Sequence, residues 1–356
     1  MPDTAKWGGG CLRLGVIGPG AAVHRLHRPA LDKLTRQVSV VAVAGRSRQR
    51  SEELARPYGA RVYDDYRRLL DDPEVDAVLI AVPIEWNARI LAAAIRSGKH
   101  VLAEKPLAAT LAEGQSVLDA CSGSRSIIAV AENFRYRKDL ARALQILASG
   151  EIGEVFAFQL TVLFDLDAEI RRVWTSTEWR QRPAHPGGFL LDAGVHPVSF
   201  LRDLLGEVAE VSAQVLDRHP VIQGPDSLLM QLKLASGAVG QYFACYTATV
   251  REESMLSVSV YGSQGTLSVA PGRVTSSRGA GGPLRSFRVP RSDRGYLRQW
   301  QNFLAAVQGK EQLVSTAAKA FGDLAVIEAA LASARERRIV AVEESRAART
   351  PDQRPS

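Results

Sequence analysis

Asp192 and His196 stand four residues apart and offer the clearest acid–base chemistry in the sequence. On a helix, this spacing puts both side chains on one face, where a carboxylate can orient an imidazole. His196 can then accept a proton from a substrate hydroxyl during oxidation and return one to a carbonyl during reduction. An isolated Asp-x-x-x-His is more often a surface pair, so the spacing alone does not establish a catalytic site.

Lys105 is a candidate for stabilising charge on the same substrate oxygen. It follows a predicted strand over 100–104 and precedes Pro106. An ammonium group that donates to the oxygen stabilises the alkoxide charge that develops there in the transition state. A lysine before a proline is more often a solvated loop residue, so Lys105 also needs a structural context.

The first apolar run, Leu12–Ile17, ends in a glycine turn typical of dinucleotide-binding sites. Gly18 allows the tight turn, and Gly20 lets a pyrophosphate approach the backbone where a helix is predicted to start. Val23 takes the place of the third glycine, so the fingerprint is incomplete. The residues that we predict to bind the cofactor are Gly18, Gly20, Ala21, Ala22, Arg46, Ser47, Val82, Pro83, Asn87, Glu104 and Lys105.

The second apolar run, Val38–Ala44, is followed by Gly45, Arg46 and Ser47, with no acidic residue. NAD-specific sites usually have Asp or Glu here to accept hydrogen bonds from the ribose hydroxyls. Gly45 removes that negative charge, and Arg46 with Ser47 can pair with a 2′-phosphate. We therefore predict NADP as the preferred cofactor, with NAD as the alternative.

The periodicity of the sequence changes at about Asn133. Before it, apolar runs alternate with helical patterns, which is typical of a doubly wound α/β domain with a parallel sheet. After it, period-two strands follow one another across short Gly or Ser turns, which indicates a mostly antiparallel sheet. The prediction is an NAD(P)-binding domain (1–132), an α+β domain for substrate binding and oligomerisation (133–342) whose late helices can pack back on the first domain, and a disordered tail (343–356).

Three further motifs follow the glycine turn in order: GKHVLAEKPLA (98–108), ENFRYR (132–137) and GGFLLDAGVHPVSF (187–200). Together they resemble the Gfo/Idh/MocA family of glucose-fructose oxidoreductase and inositol dehydrogenase relatives, over nearly the whole chain. The resemblance implies a Rossmann domain, a second domain built on a large open sheet, and a nicotinamide cofactor between them. It also implies a cis peptide bond before Pro106.

By the family pattern, Lys105, Asp192 and His196 are the catalytic groups. One position departs from that pattern, because the family commonly has a proline followed four residues later by a histidine near the nicotinamide ribose. Here Pro83 is followed by Asn87, which can hydrogen-bond but cannot titrate. The departure puts in doubt a proton relay through this position, and not cofactor binding.

Polar and aromatic residues after Glu132 and between Phe164 and Gly187 are predicted to line the substrate site. Such groups suit a hydroxylated ring, which stacks on aromatic faces and hydrogen-bonds at its edges. Packing of the loop beneath the catalytic helix is an equally good interpretation of Trp179 and Arg180. The candidate substrate residues are Trp86, Asn133, Arg135, Trp174, Trp179 and Arg180.

The leading hypothesis is an NAD(P)-dependent oxidoreductase that transfers hydride to or from a secondary alcohol or ketone of a sugar, cyclitol or related ring. One alternative is a lyase, epimerase or glycoside-cleaving enzyme that retains its nicotinamide. Another is a non-catalytic nucleotide or sugar sensor, which need not keep Lys105, Asp192 and His196 together. Turnover without net consumption of cofactor distinguishes the first alternative from the leading hypothesis.

Composition narrows the classes of partner. The 46% hydrophobic and 23% charged residues are ordinary for a globular chain, and the net charge of +7 is scattered, with no basic helix or aromatic pattern typical of nucleic-acid binding. Three cysteines without CxxC spacing and six histidines without HxxxH spacing predict neither a disulfide framework nor a metal site. We expect a cytoplasmic protein with no membrane segment, and a homodimer or homotetramer formed through the open sheet.

Overall fold

The computed structural model describes residues 10–249, 254–290 and 294–343, so the predicted tail lies almost entirely outside the described residues. The described chain divides into two units. The first contains the residues up to Glu132 together with Tyr296–Phe321, and the second contains Asn133–Gly295 together with the residues from Gly322 onward. The return of Tyr296–Phe321 places one late helix in the first unit.

The helices and strands have the following bounds. The helices are α1 (Arg28–Leu31), α2 (Arg48–Ala55), α3 (Tyr66–Leu70), α4 (Ile84–Arg96), α5 (Leu111–Cys121), α6 (Lys138–Ala148), α7 (Arg172–Thr175), α8 (Glu178–Gln181), α9 (Gly188–Leu205), α10 (Tyr296–Val307) and α11 (Ala317–Glu336). The strands are β1 (Leu12–Ile17), β2 (Val38–Ala44), β3 (Arg61–Tyr63), β4 (Ala77–Ile80), β5 (His100–Ala103), β6 (Ile128–Val130), β7 (Val155–Leu163), β8 (Val208–Leu216), β9 (Ser227–Leu234), β10 (Val239–Cys245), β11 (Ser254–Gly262), β12 (Gly265–Ala270), β13 (Arg273–Arg278), β14 (Arg285–Arg288) and β15 (Val340–Ala341).

The first unit is built on a six-stranded parallel sheet in the order β3-β2-β1-β4-β5-β6. This order reverses between β1 and β4, so their carboxyl ends form the crevice where doubly wound sheets bind ligands. All four residues of β4 are buried, as expected for a strand covered on both faces. The predicted doubly wound domain is confirmed.

In the first unit, a capping side chain starts helix α5 and a left-handed glycine follows the end of helix α4. Thr110 caps α5, since its hydroxyl accepts from the Glu113 backbone N–H and the Glu113 carboxylate accepts from Ala109 N–H. Gly98, at φ +74°, follows α4 in the left-handed conformation. Helix α10 packs Trp300, fully buried, into the same hydrophobic core as β1 and β2.

The helix after the glycine turn differs from the prediction. In place of one regular α-helix, the chain forms a π-helix at Val23–His27 and continues as α1, which ends at Leu31. The widened turn begins at Val23, the residue that replaces the third glycine of the fingerprint, and Val23 is buried. Such widened turns are frequent at functional sites.

The second unit is built on a nine-stranded sheet in the order β14-β13-β12-β11-β7-β10-β9-β8-β15. Every pairing is antiparallel except that of β7 with β10, which are parallel. Buried and exposed residues alternate along β9, because one face is covered and the other is open. The predicted mostly antiparallel sheet is confirmed.

Helices α6 and α9 pack on the covered face of this sheet. Helix α9 is long and almost entirely buried, and it contains Pro197 in its interior. Among the described residues, no helix is long and apolar enough to cross a membrane.

Candidate active site

The glycine turn after β1 leaves its backbone open. A Cβ on Gly18, at φ +92°, would lie 2.2 Å from the Ala81 carbonyl oxygen, so only glycine fits. A Cβ on Gly20 would meet no described atom within 4 Å. Gly20 is therefore not required by packing, and the free space beside it, at the start of a helix, fits the close approach of a pyrophosphate. Ala21 and Ala22 begin that helix and are partly exposed.

The missing acid after β2 has a packing cause. A Cβ on Gly45 would lie 2.5 Å from Cδ of Pro19 and 2.9 Å from Oγ of Ser51. Any side chain at Gly45 would therefore collide with the glycine turn and with α2. Gly45 therefore has no space for the acidic side chain that accepts hydrogen bonds from the ribose hydroxyls in NAD-specific sites.

Arg46 and Ser47 occupy different environments. Arg46 is exposed, and no described residue forms an ion pair or hydrogen bond with its guanidinium. The Ser47 hydroxyl caps α2 by accepting from the Arg50 backbone N–H. Ser47 thus already has an intramolecular role, and Arg46 is the better candidate for an anionic group.

Asn87 holds the segment that carries Lys105. Its Nδ2 donates to the carbonyl oxygens of Glu104 and Pro106, each at 2.7 Å, and the residue is only 2% exposed. The Lys105–Pro106 peptide bond is cis, as expected. The amide N–H groups of Asn87 thus position the loop after β5, and its Oδ1 has no hydrogen-bond partner among the described residues. The prediction of Asn87 as a cofactor ligand stays a prediction.

His27 connects the π-helix to the same loop. Its Nε2 lies 2.7 Å from Glu104 Oε1, and its Nδ1 lies 3.1 Å from Nε1 of Trp300. Because an indole N–H can only donate, His27 Nδ1 accepts, and Nε2 therefore carries the proton and donates to Glu104. The other Glu104 oxygen accepts from the Lys105 backbone N–H at 3.2 Å. Sequence reasoning missed His27 and Trp300.

Lys105, Glu104, Val82 and Pro83 lie at the carboxyl ends of β5 and β4, next to the glycine turn. Ala81 N–H donates to Ile17 O, and Glu104 N–H donates to Ile80 O, so the three strand ends are adjacent. Trp86 is 39% exposed on the first turn of α4, where Arg89 lies over its ring.

In the second unit, Asp192 lies on α9 and pairs with an arginine. Arg180 Nε donates to Asp192 Oδ2 at 2.7 Å, and both side chains are nearly buried. The same guanidinium lies 4.0 Å from the centre of the Trp179 ring and 5.4 Å from that of Trp174. The structure thus brings Trp174, Trp179, Arg180 and Asp192 into one cluster.

His196 lies one helical turn after Asp192 and is partly exposed. Its ring stacks on Phe134, with 4.7 Å between the ring centres and 18° between the planes. Arg137 lies over the Phe134 ring at 4.6 Å. Phe134 belongs to the ENFRYR motif, yet the sequence analysis did not select it as the support of His196.

Asn133 and Arg135, from the same motif, are not placed to line a substrate site. Asn133 is 3% exposed and donates to the Arg294 carbonyl oxygen at 2.6 Å. The Arg135 side chain is fully buried, and its terminal nitrogens bind Asp203 and Asp323 at 2.5 and 2.6 Å. The two carboxylates neutralise the buried Arg135 cation, whose removal from water is otherwise costly.

A second histidine, His185, lies close to Asp192. It is 7% exposed, and no described residue hydrogen-bonds either ring nitrogen. Burial lowers the pKa of His185, and the negative charge of Asp192 offsets part of that effect. Tyr246, which is buried against Tyr242, also feels the charge of Asp192, and burial raises its pKa. Among the described residues, no cluster of His, Cys, Asp or Glu is arranged to bind a metal ion.

Two family models match the chain. The model of an oxidoreductase family with an NAD-binding Rossmann fold matches residues 12–132, and the model of the GFO/IDH/MocA C-terminal domain matches residues 140–268. A solved oxidoreductase structure from Thermotoga maritima is 31% identical, covers 93% of this chain and 98% of its own, and has a TM-score of 0.84.

Other relatives have named substrates. Levoglucosan dehydrogenase from Pseudarthrobacter phenanthrenivorans is 28% identical over 291 residues, which is 72% of this chain and 73% of its own. A structure of levoglucosan dehydrogenase with NADH has a TM-score of 0.84 at 23% identity and covers 94% of this chain and 99% of its own, which shows the shared fold. scyllo-Inositol 2-dehydrogenase (NADP⁺) from Bacillus subtilis is 22% identical over 93% of this chain and 96% of its own.

Proposed function

Because the chain belongs to the GFO/IDH/MocA family of oxidoreductases with an NAD-binding Rossmann fold, we propose that it transfers hydride between NAD(P) and a polyol. The substrate is a secondary alcohol, or the corresponding ketone, of a sugar, cyclitol or related hydroxylated ring. The named substrates of its relatives, levoglucosan and scyllo-inositol, support this class.

The observation that carries the proposal is the place of Lys105 in the first unit. Lys105 follows β5, whose carboxyl end is adjacent to the ends of β4 and β1 and so to the glycine turn. Dinucleotides bind doubly wound sheets at this crevice, where the strand order reverses. This position supports the proposal that Lys105 takes part in the chemistry at the reacting end of the cofactor.

The bound nicotinamide supplies the hydride acceptor in oxidation and the donor in reduction. His196 takes the proton of the reacting hydroxyl, and the stacked Phe134 fixes the plane of its ring. Lys105 donates a hydrogen bond to the same oxygen and stabilises its developing negative charge. Asp192 contributes a carboxylate on the same helix, held in place by Arg180.

The test is a panel of cyclitols, hexoses and their keto forms, assayed with NAD and with NADP for wild-type protein and for His196→Ala. We expect at least one polyol to be oxidised with stoichiometric formation of reduced cofactor. His196→Ala should lower kcat about 10²- to 10⁴-fold, the usual contribution of a general acid–base group. Product formation without net reduction of cofactor would contradict the proposal and favour the redox-neutral alternative.

We propose further that NADP is preferred over NAD. The support is Arg46, which is exposed and has no ion-pair partner among the residues that the structure describes. It lies beside Gly45, where steric contact with Pro19 excludes an acid. Arginine pairs with phosphate oxygens through two parallel hydrogen bonds, which suits a 2′-phosphate.

We also propose that the chain forms a homodimer or homotetramer through the open face of the nine-stranded sheet. Phe243 and Leu229 face each other across β10 and β9 on this face and are 39% and 45% exposed. Tyr261 on β11 and Val239 on β10 extend the apolar surface. A second copy that covers this face removes apolar surface from water.

A further inference from the structure

His185 is the residue whose environment the proposed mechanism does not explain. It lies in the segment between α8 and α9, is more than nine-tenths buried, and has no hydrogen bond from any described residue at Nδ1 or Nε2. Buried polar groups in folded proteins almost always have a partner, and each exception needs an explanation. The other buried histidine of this unit, His219, follows that rule, because its Nδ1 accepts from the N–H groups of Val221 and Ile222.

Asp192 connects His185 to the candidate catalytic cluster. Asp192 is close enough to influence its charge, and the same carboxylate binds Arg180. Arg180 in turn packs on Trp174 and Trp179. The imidazole, which has no hydrogen-bond partner among the described residues, is thus close to a carboxylate whose arginine partner packs on two aromatic rings. Aromatic faces with polar groups at their edges suit a hydroxylated ring.

We propose that His185 is a substrate-binding residue that hydrogen-bonds a second hydroxyl group of the polyol, distinct from the hydroxyl that reacts. This inference rests on the proposed function and deepens it. A neutral imidazole has one donor and one acceptor nitrogen, which complements a neutral hydroxyl group. Burial lowers the pKa of His185 and so favours the neutral imidazole, which suits an uncharged hydroxyl group.

The discriminating variants are His185→Leu, which removes both nitrogens, and His185→Asn, which keeps one donor and one acceptor. The probes are scyllo-inositol, levoglucosan and a set of their monodeoxy derivatives. Affinity is measured by isothermal titration calorimetry with NADPH present, and turnover is measured by cofactor absorbance. The matched control is His219→Leu, which removes a buried imidazole of the same unit that lies among structural partners.

We expect His185→Leu to weaken binding of the best polyol about 10- to 100-fold, with His185→Asn intermediate. For one monodeoxy derivative, wild type and His185→Leu should differ less than about twofold, because the hydroxyl that His185 binds is already absent. A site that hydrogen-bonds a hydroxyl rejects the analogue that lacks it. His219→Leu should lower the melting temperature without changing discrimination between the parent and its deoxy derivatives.

The outcomes separate this inference from the proposed function. Binding that His185→Leu weakens selectively, without turnover by wild type, supports the hydroxyl site and contradicts the redox function. Turnover by wild type that His185→Leu leaves unchanged, or lowers equally for parent and all deoxy derivatives, contradicts the hydroxyl site and leaves the redox function standing. Failure of wild type to bind any polyol contradicts both.

Discussion

Gly45, which follows β2, has no room for a side chain. The lack of an acid at Gly45 was visible in the sequence and suggested NADP. The structure adds that Pro19 and Ser51 leave no space for a side chain there, a contact that no local pattern reveals. The proposed preference for NADP therefore rests on Arg46, the exposed neighbouring residue whose guanidinium has no ion pair or hydrogen bond with any described residue.

Replacing Arg46 by alanine should raise the KM for NADP about 10- to 100-fold, because hydrogen bonds to charged groups contribute about 1.5–3 kcal/mol. The KM for NAD should change less than about threefold, since NAD has no 2′-phosphate. Steady-state kinetics with both cofactors measure the two constants. Arg48→Ala is the matched control, because Arg48 is already paired with Glu52 on α2. Equal losses with both cofactors would contradict the role of Arg46.

At the scale of elements, apolar periodicity predicted the types of the main strands and helices, because each buries one continuous face. Contacts between distant elements were not predictable. The hydrogen bond from Trp300 to His27 joins residues 273 positions apart and ties α10 to the π-helix. Similarly, Arg135 suggested a substrate ligand by type, but its position between Asp203 and Asp323 depends on the packing of α9 and α11.

The hydrogen-bonded chain from Trp300 through His27 to Glu104 should position Lys105. Trp300→Phe removes the indole N–H together with one of the two fused rings. From the lost hydrogen bond, which contributes about 1 kcal/mol, we expect kcat to fall about 3- to 10-fold with little change in the KM for cofactor. Phe303→Leu is the control, because Phe303 is buried beside Trp300 without a polar group. If Trp300→Phe lowers the melting temperature but leaves kcat unchanged, Trp300 has a structural role alone.

At the scale of the whole molecule, the sequence was sufficient for the two architectures. Continuous apolar runs require a parallel sheet covered on both faces, and alternating runs require a sheet with one open face. The sequence was not sufficient for the order of strands in the second sheet, where β7 pairs in parallel with β10 across about 80 residues of chain. The resulting open face is the basis for the proposed assembly.

Phe243→Asp, in the middle of the open face, should shift the protein from a dimer or tetramer to a monomer in sedimentation velocity. A charge buried in an apolar interface is strongly unfavourable unless it is paired. Leu284→Asp is the control, because Leu284 is 69% exposed and lies outside the strands. A wild-type monomer, or a Phe243→Asp variant that assembles as wild type does, would contradict the proposed interface.

We propose that this chain oxidises a polyol with Lys105 and His196 at the reacting oxygen. The kinetics of matched variants test this proposal. Wild type, Lys105→Met, His196→Asn and the control Lys99→Met are compared on the best polyol, with cofactor affinity measured by fluorescence. Lys99 is the matched lysine, because its ammonium group donates to the Asp72 and Val75 carbonyl oxygens. We predict that Lys105→Met and His196→Asn lower kcat at least about 10²-fold with cofactor affinity within about threefold of wild type, and that Lys99→Met retains wild-type kcat. Wild-type kcat in either Lys105→Met or His196→Asn would contradict the proposed role of that residue at the reacting oxygen.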